Sequence, residues 1–243
     1  MYLYSKFLHL LNNYKFKDMK RLFSVISLLL VVFLSLAKDN TIKFLGHPVD
    51  GSKTAMHAHL LKKEFKYDSE LNCYFGKFNG KNSKILLSTN HGKVDRVFVV
   101  FPTETKNDII YEYNGLLEQF DGNEKYTSLY ENEKIPLTED IYEEITFNNK
   151  RYGASYYYTY DLDTSKVYEI VSEELVKRIP SEDAYNELSR KEQHDLNMQL
   201  LAITFEKLCT GTVWFTIFKQ GYDEYYIGLY YDNLNNRPKG EDL

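Results

Sequence analysis

NCYFGKFNGKNSKILLSTNHGKVDRVFVVF, residues 72–101, is the stretch that decides the fold of this 243-residue chain. It contains three runs of strand-forming residues, at 72–78, 83–89 and 94–101. Asn79-Gly80 separates the first two runs, and Asn90-His91-Gly92 separates the last two. Asn-Gly is a strong hairpin signal, because a type I′ turn requires a positive φ at both central residues. The stretch therefore predicts a three-stranded antiparallel meander.

A helix is predicted on each side of this meander. The first covers residues 53–63, where Asp50 or Ser52 can cap the free amides at its beginning. The second covers residues 107–120, after Pro102 ends the last strand. Its apolar residues recur on one face at helical spacing, and they are Ile109, Tyr113, Leu116, Leu117 and Phe120.

The order of a helix followed by strands is repeated toward the end of the chain. A second meander is predicted from strands at 126–130, 141–147 and 151–160. Residues 167–178 are ambiguous and could be a strand followed by a helix. Ser189 and Glu192 have the spacing of a capping box, so they predict the beginning of a long helix. A last hairpin is predicted at 213–219 and 224–231.

These elements give the order α-βββ-α-βββ-α-ββ and an α+β fold class. The helices are expected on one face of antiparallel sheet, because meanders leave one face to be covered. Whether one continuous sheet or two small sheets form stays open. The predicted units are residues 38–102, 103–160 and 161–231, and a polar, loose tail follows at 232–243.

A secretory signal peptide is predicted at residues 19–37. A basic beginning, an apolar run from Leu22 to Leu34 and small residues at Ser35 and Ala37 form its pattern, with cleavage after Ala37. Residues 1–18 are interpreted as an extension upstream of the true start at Met19, although an extended leader or an uncleaved anchor are alternatives. The remaining chain, with its globular region at 38–231, is expected in the periplasm or outside the cell, without a stable membrane span after cleavage.

The charge of the exported part argues against nucleic acid as a partner. The chain has 30 basic and 35 acidic residues, and residues 1–37 hold five of the basic ones and one acidic one. The remaining net charge of -9 repels a phosphate backbone. A basic or neutral partner fits this charge better, and the expected class of partner is a protein or glycan.

No catalytic, metal or cofactor site is predicted. Cys73 and Cys209 could pair in an oxidising compartment or remain buried thiols, and both readings stay open. His57 and His59 are two residues apart on a helix, so they point to different sides and do not form a chelating pair. Cys73 with His91 could form a nucleophile and its base, but no surrounding motif supports that pair.

Aromatic residues are the candidate binding residues, since they make up 16% of the chain. Successive strand residues face opposite sides of a sheet, so one set of rings fills the core and the other faces outward. Tyrosine brings a large contact area at a small entropic cost. The candidates are Tyr156, Tyr158, Tyr160, Tyr226 and Tyr230.

Three quoted segments carry a resemblance to a family. FLGHPVDGSK, FGKFNGKNSKILLSTNHGKVDRVFVVFP and YYIGLYYDNLNNRPKGEDL resemble a group of uncharacterised secreted proteins of Bacteroidetes bacteria. The helix-plus-meander pattern is also similar, in architecture alone, to beta-lactamase-inhibitor-protein-like tandem modules and to outer-membrane-assembly lipoproteins. That similarity implies protein binding. No Cys follows the predicted cleavage site, which departs from the lipoprotein pattern.

The leading hypothesis is an exported, non-enzymatic binding module that uses an aromatic sheet face. Two alternatives belong to other classes. One is a hydrolase of cell-envelope or extracellular polymers, with Glu143, Glu144 or His91 as candidate polar residues in a concave pocket. The other is a structural envelope component whose sheet face is buried against another copy.

Overall fold

The computed structural model describes residues 41–130, 132–160, 162–179 and 181–238. The predicted extension at 1–18 and the signal peptide at 19–37 lie outside these residues. The chain divides into two compact units. The sheet unit contains Thr41–Tyr158 and the described residues from Thr210 onward, and the helical unit contains Thr159–Cys209. No helix of the described segments is long and apolar enough to cross a membrane.

The strands of the described residues all lie in the sheet unit, and helices occur in both units. The strands are β1 (Lys43–Phe44), β2 (His47–Pro48), β3 (Lys66–Asp68), β4 (Cys73–Phe78), β5 (Lys81–Asn90), β6 (Lys93–Val100), β7 (Tyr126–Thr127), β8 (Gly153–Tyr158), β9 (Gly211–Lys219) and β10 (Tyr225–Asn233). The helices are α1 (Lys53–Lys62), α2 (Lys106–Asp121), α3 (Ile141–Thr146), α4 (Thr164–Arg178), α5 (Glu182–Asn186) and α6 (Arg190–Leu208).

Eight of these strands form one antiparallel sheet in the order β3-β4-β5-β6-β10-β9-β8-β7. The α+β class with antiparallel sheet is therefore confirmed, and the sheet is continuous. Its two halves meet where β6 pairs with β10, with Val99 opposite Leu229 and Phe98 opposite Tyr230. This pairing joins residues that are more than 120 positions apart, and it creates the centre of the sheet.

The turns of the first meander follow the sequence prediction. Asn79 and Gly80 have φ values of 50° and 78°, and His91 and Gly92 have φ values of 47° and 77°. Two adjacent positive φ values are what a type I′ turn requires. The register of β4 and β5 also fits a two-residue turn, because Phe78 pairs with Lys81 across Asn79-Gly80.

Helices α1 and α2 pack on one face of the sheet. Ser52 caps α1, since its hydroxyl accepts a hydrogen bond from the Ala55 amide at 3.2 Å. The core under these helices is one cluster of buried side chains. It includes Met56, Leu60, Ile109, Ile110, Tyr113, Leu116, Leu117 and Phe120 from the helices and Val97, Val99, Val213, Phe215, Ile227 and Leu229 from the strands.

The second predicted meander is wrong. Residues 141–147 were expected to form a strand, but Ile141–Thr146 is the helix α3. The carboxylate of Asp140 accepts hydrogen bonds from the amides of Tyr142 and Glu143, so it caps a helix at this point. Strand β8 pairs with the two-residue strand β7 and with β9 instead.

The helical unit holds the predicted long helix and its cap. Ser189 and Glu192 form the capping box that begins α6, as predicted. The ambiguous residues 167–178 belong entirely to the helix α4. Helix α4 lies beside α6, where Lys207 and Lys177 both contact the carboxylate of Glu174.

The beginning of the tail is ordered, contrary to the prediction. Strand β10 continues to Asn233, whose side-chain amide donates to the Val49 carbonyl at 2.6 Å. The amide of Asn236 donates to Val94 O and to Asp50 Oδ1, each at 3.0 Å. These hydrogen bonds hold residues 232–237 in place. They come from side-chain amides, so the alternation of strand residues in the sequence does not predict them. Residues 239–243 lie outside the described part.

Candidate functional site

The face of the sheet opposite α1 and α2 carries aromatic side chains. Strand residues alternate between faces, and β9 and β10 carry aromatic residues on both faces. The aromatic residues of this second face are half-buried, whereas the apolar residues of the first face are fully buried. We define the aromatic face by its five half-buried rings: Phe98, Trp214, Phe218, Tyr226 and Tyr230.

The rings of the aromatic face stack on one another across neighbouring strands. Tyr230 lies between Phe98 and Trp214, with ring centroids 4.3 Å and 3.7 Å apart and planes within 7° of parallel. Phe218 and Tyr226 form a second stack at 5.0 Å. Because the strands themselves lie about 4.8 Å apart, stacked rings stand upright on the sheet. Tyr230 has both ring faces covered by its neighbours, whereas Phe98, Trp214, Phe218 and Tyr226 each have one face covered in this way.

Gly228 provides the space in which these rings meet. A Cβ atom at this position would lie 2.8 Å from ring atoms of both Phe218 and Phe98, and 3.2 Å from the ring of Tyr230. Real Cβ contacts are not this short, so any side chain at Gly228 forces the rings apart. The glycine is therefore required by packing and not by its backbone conformation.

Replacing Gly228 by Ala is expected to lower the free energy of unfolding by about 1–3 kcal/mol, because it overpacks the two stacks. Gly115 in α2 is a matched control, since a Cβ there meets nothing within 4 Å. Gly115→Ala is expected to be neutral or stabilising, because alanine favours helices. Denaturant unfolding measures both variants, and equal stability of Gly228→Ala and the wild type contradicts the ring positions.

A buried carboxylate anchors one end of the larger stack. Asp232 is fully buried and accepts hydrogen bonds from Arg96 Nε at 2.5 Å, Arg96 Nη2 at 2.9 Å and Trp214 Nε1 at 2.8 Å. Arg237 contacts the same carboxylate. The Arg96 guanidinium also lies over the rings of Tyr230 and Trp214, at 5.2 Å and 5.6 Å from their centroids. The site thus fixes Trp214 through both its ring and its indole nitrogen.

The ionisation of Asp232 follows from these contacts. Burial by itself opposes the charged form, but hydrogen bonds from Arg96 and Trp214 and the charges of both arginines outweigh it. The result is a pKa of Asp232 below its ordinary value of 3.8. The same hydrogen bonds raise the pKa of Arg96. The carboxylate and the guanidinium are therefore both charged at neutral pH.

A concave depression of about 490 Å³ opens on the same side of the sheet. We call it the groove. It is lined by Lys84, Leu86, Phe98, Val100, Phe101, Thr103, Lys219, Gln220 and Tyr226. These residues come from β5, β6, β9, β10 and the segments that follow β6 and β9. The groove therefore shares Phe98 and Tyr226 with the aromatic face.

A second set of aromatic side chains lies on α3, directly after it and in the β9–β10 turn. Tyr222 is 81% exposed and Phe147 is 69% exposed, and both rings contact the ring of Tyr142, at 5.2 Å and 6.2 Å between centroids. Lys219 pairs with the buried Tyr225 and therefore points to the face that α2 covers, where its Nζ lies 4.2 Å from the Tyr142 centroid. We call Tyr142, Phe147 and Tyr222 the hairpin patch.

The structure divides the five predicted binding tyrosines. Tyr226 and Tyr230 belong to the aromatic face. Tyr156 and Tyr158 are 1% and 4% exposed, so the expectation that they face outward is wrong. Tyr156 stacks on Phe120 of α2 and therefore belongs to the core. Tyr160 is 38% exposed and lies beyond the end of β8, in the helical unit.

The remaining candidates from the sequence are two cysteines and His91. Cys73 and Cys209 are buried free thiols, and burial raises the pKa of Cys209 to about 12 and raises that of Cys73. His91 lies in the β5–β6 turn. Within the described residues, no three His, Cys, Asp or Glu side chains converge on a metal position.

Sequence reasoning missed the groove, because its lining comes from strands far apart in the chain. Lys84 and Lys219 carried no pattern that pointed to a site. The only available signal was the alternation of Trp214 and Phe218 with Val213, Phe215 and Ile217. A strand that is apolar on both faces indicates a second face with its own contacts.

These features define an α+β protein with an eight-stranded antiparallel sheet that buries one face under helices and carries half-buried aromatic side chains on the other. Comparisons with protein-family models, with curated proteins and with solved structures found no match for this chain. The resemblances stated from the sequence therefore stay predictions.

Proposed function

We propose that this protein is an exported, non-enzymatic binding module that recognises a protein or glycan partner through the groove, the aromatic face and the hairpin patch. Export rests on the signal-peptide pattern at residues 19–37. The proposal gives no catalytic role to any residue. The single observation that carries it is the continuity of the half-buried rings of the aromatic face with the lining of one depression, which shares Phe98 and Tyr226 with that face.

Physical reasons support contact at this surface. Tyrosine, tryptophan and arginine are the residues that contribute most to interfaces. Tyr226 lines the groove, and Tyr230, Trp214 and Arg96 lie together on the aromatic face that adjoins it. Rings fixed by stacking lose little entropy on binding, because their rotamers are already restricted. Exposed apolar side chains that lie together usually mark contact sites, whereas single ones do not.

Variants of the hairpin patch and the groove test the proposal. Tyr222→Ala with Phe147→Ala, and separately Tyr226→Ala, are expected to weaken partner capture from a cell-envelope extract of the host by at least about tenfold, which is the loss of a modest hot spot. Capture is measured by pull-down with quantitative mass spectrometry. A protein or a glycan released from the beads identifies the class of partner.

The matched control is Tyr111→Ala with Tyr130→Ala. These tyrosines are 62% and 74% exposed and lie on or after α2, away from the groove lining. The control is expected to capture the partner as the wild type does. Equal capture by the control and by both site variants is the result that removes the proposal.

A further inference from the structure

We propose that an extended segment of a partner protein adds to the sheet as a further strand beside residues 153–156 of β8, with one large apolar side chain packed on Trp214. This inference goes beyond the proposed function, because no residue of β8 lines the groove. Two features carry it. Peptide groups of β8 lack a neighbouring strand, and one ring face of Trp214 is directed toward β8.

Part of β8 has no strand on its outer side. Strand β8 is six residues long, and β7 pairs with Tyr157 and Tyr158 alone. The chain bends after β7, where the hydroxyl of Ser128 accepts a hydrogen bond from the Tyr130 amide at 3.2 Å. Residues 153–156 therefore have β9 on one side, and no strand or bridge of the described residues borders them on the other.

The register shows which peptide groups of β8 face this open side. The Ile217 amide donates to the Tyr152 carbonyl at 3.0 Å, so Tyr152 is bonded to β9, and the same register continues into β8. Residues of an antiparallel pair alternate in the side to which they direct their N–H and C=O groups. Gly153 and Ser155 therefore direct theirs away from β9. Both residues are exposed, and within the described part of the chain neither has a backbone partner on the outer side.

These peptide groups favour an extended backbone as the ligand. A row of N–H and C=O groups at strand spacing is what β-strand addition uses. Proteins usually protect an exposed edge with charged residues, proline or a very short strand. Strand β3 at the other edge of the sheet fits this rule, since it has three residues and carries Lys66 and Asp68. Gly153 and Ser155 are small and uncharged, so the edge of β8 has no such protection.

The indole ring of Trp214 offers a contact for a side chain of the added strand. Its plane lies within 6° of the plane of Tyr230, which covers one face from β10, so the other face is directed toward β8. Trp214 lies opposite Ser155 in the register, and the serine side chain is too short to cover an indole. The indole nitrogen donates to Asp232 at 2.8 Å, which holds the ring in this orientation.

The spacing of the strands suits a large apolar side chain. An added strand would lie about 10 Å from β9, which is two strand spacings, with Ser155 between them. Aromatic and long side chains reach across such neighbouring positions on one face of a sheet. A side chain that faces the same way as Ser155 therefore meets the indole above the serine. A sugar also stacks on an indole face, but it has no alternating row of donors and acceptors that matches the edge.

Four probes test the inference by NMR titration of the purified, isotope-labelled protein. The first is a blocked heptapeptide with threonine at its odd positions, phenylalanine at its centre and valine at the two remaining positions. In an antiparallel strand with phenylalanine opposite Ser155, the N–H groups of phenylalanine and valine face β8. The second probe carries N-methyl groups on these three residues, and the third has alanine in place of phenylalanine. The fourth is a tetramer of N-acetylglucosamine.

The heptapeptide is expected to shift the amide signals of residues 153–156 and the indole N–H signal of Trp214, the only tryptophan of the chain. The N-methylated analogue is expected to bind at least about tenfold more weakly, because it loses its backbone hydrogen bonds to β8. The alanine analogue is expected to lose about threefold to tenfold, the value of one aromatic pair. Equal binding of the N-methylated analogue overturns the inference, and so does the absence of shifts at millimolar heptapeptide. Saturable binding of the sugar tetramer without binding of the peptide overturns it in favour of a glycan.

Variants of Ser155 test the same edge from the side of the protein. Proline at this position removes the outward N–H and leaves the pairing with β9 intact, since Ser155 directs its peptide groups away from β9. Ser155→Pro is expected to lose at least about tenfold in heptapeptide affinity, whereas Ser155→Ala keeps the N–H and retains binding. Retained affinity in a folded Ser155→Pro variant overturns the inference. Circular dichroism checks its folding, and the N-methylated probe decides the question if this variant does not fold.

Two further measurements separate this inference from other accounts. Loss of heptapeptide binding in Tyr226→Ala with retained binding in Ser155→Pro places the peptide in the groove, so the strand inference fails and the proposed function stands. If Ser155→Pro loses the heptapeptide and the groove variants still capture the partner, the proposed function fails and the strand inference stands. A dimer in sedimentation that Ser155→Pro converts to a monomer overturns the inference in favour of a second copy of the chain.

Discussion

Phe215→Ala is expected to lower the free energy of unfolding by about 3–5 kcal/mol, the usual cost of removing a large aromatic side chain from a core. Phe215 is fully buried, and its ring lies 5.3 Å from that of Tyr113 and 5.7 Å from that of Phe120. The variant leaves a cavity between α2 and the sheet. Urea unfolding followed by far-ultraviolet circular dichroism measures the loss.

Phe218 on the same strand is the matched control. Its ring is half-buried on the opposite face, where it stacks on Tyr226. Phe218→Ala is expected to cost about 1 kcal/mol, the value of a stacked aromatic pair. Comparable losses at Phe215 and Phe218 would show that the two faces are equally buried and would contradict the face assignment.

Asp232→Ala is expected to cost about 2–3 kcal/mol at neutral pH. The substitution leaves the hydrogen-bond donors of Arg96 and Trp214 without their acceptor, and removing one partner of a buried ion pair is strongly destabilising. The expected cost is below that of a fully buried pair, because the arginine side chains are 36% and 42% exposed. Thermal and denaturant unfolding measure it.

The loss of stability caused by Asp232→Ala is expected to become smaller as the pH falls. The folded pKa of Asp232 lies below its ordinary value of 3.8, so its charged form stabilises the fold fully above that value. This contribution disappears as the pH falls below 3.8 and through the folded pKa. The difference between wild type and variant should therefore shrink in acid. A difference that stays constant from pH 7 to pH 3, or grows in acid, contradicts the ion-pair account.

Local signals explain which elements the sequence predicted. The first meander depends on the Asn79-Gly80 turn and on strand periodicity. Both signals involve residues that are close together in the sequence. The last hairpin at 211–219 and 225–233 and the capping box at Ser189 have the same origin. Where a short-range pattern determines the structure, the sequence alone is sufficient.

Competition between local signals explains the wrong element. Residues 141–147 alternate well enough to fit a strand, but the carboxylate of Asp140 accepts from two backbone amides and favours a helix. The strand pattern and the cap are both present in the sequence. Only tertiary packing, which buries Ile141 in the core, decides between them.

The candidate site was harder to predict because strand alternation does not say which face is covered. Alternation places Tyr156 and Tyr158 on one side of β8 and Tyr226 and Tyr230 on one side of β10. It does not show that these sides are opposite, since that depends on the register of β8, β9 and β10. The groove depends in addition on the pairing of β6 with β10, which has no signal in the sequence.

Site-specific photocrosslinking tests most directly whether contact with a partner occurs at the groove. p-Benzoylphenylalanine is introduced at Tyr226 in the groove or at Tyr111, which is 62% exposed on α2, and the host cells are irradiated. A crosslinked adduct from position 226 and none from position 111 is the predicted result. An adduct from position 111 alone would contradict the account, because the partner would then bind the side of the molecule that carries α2.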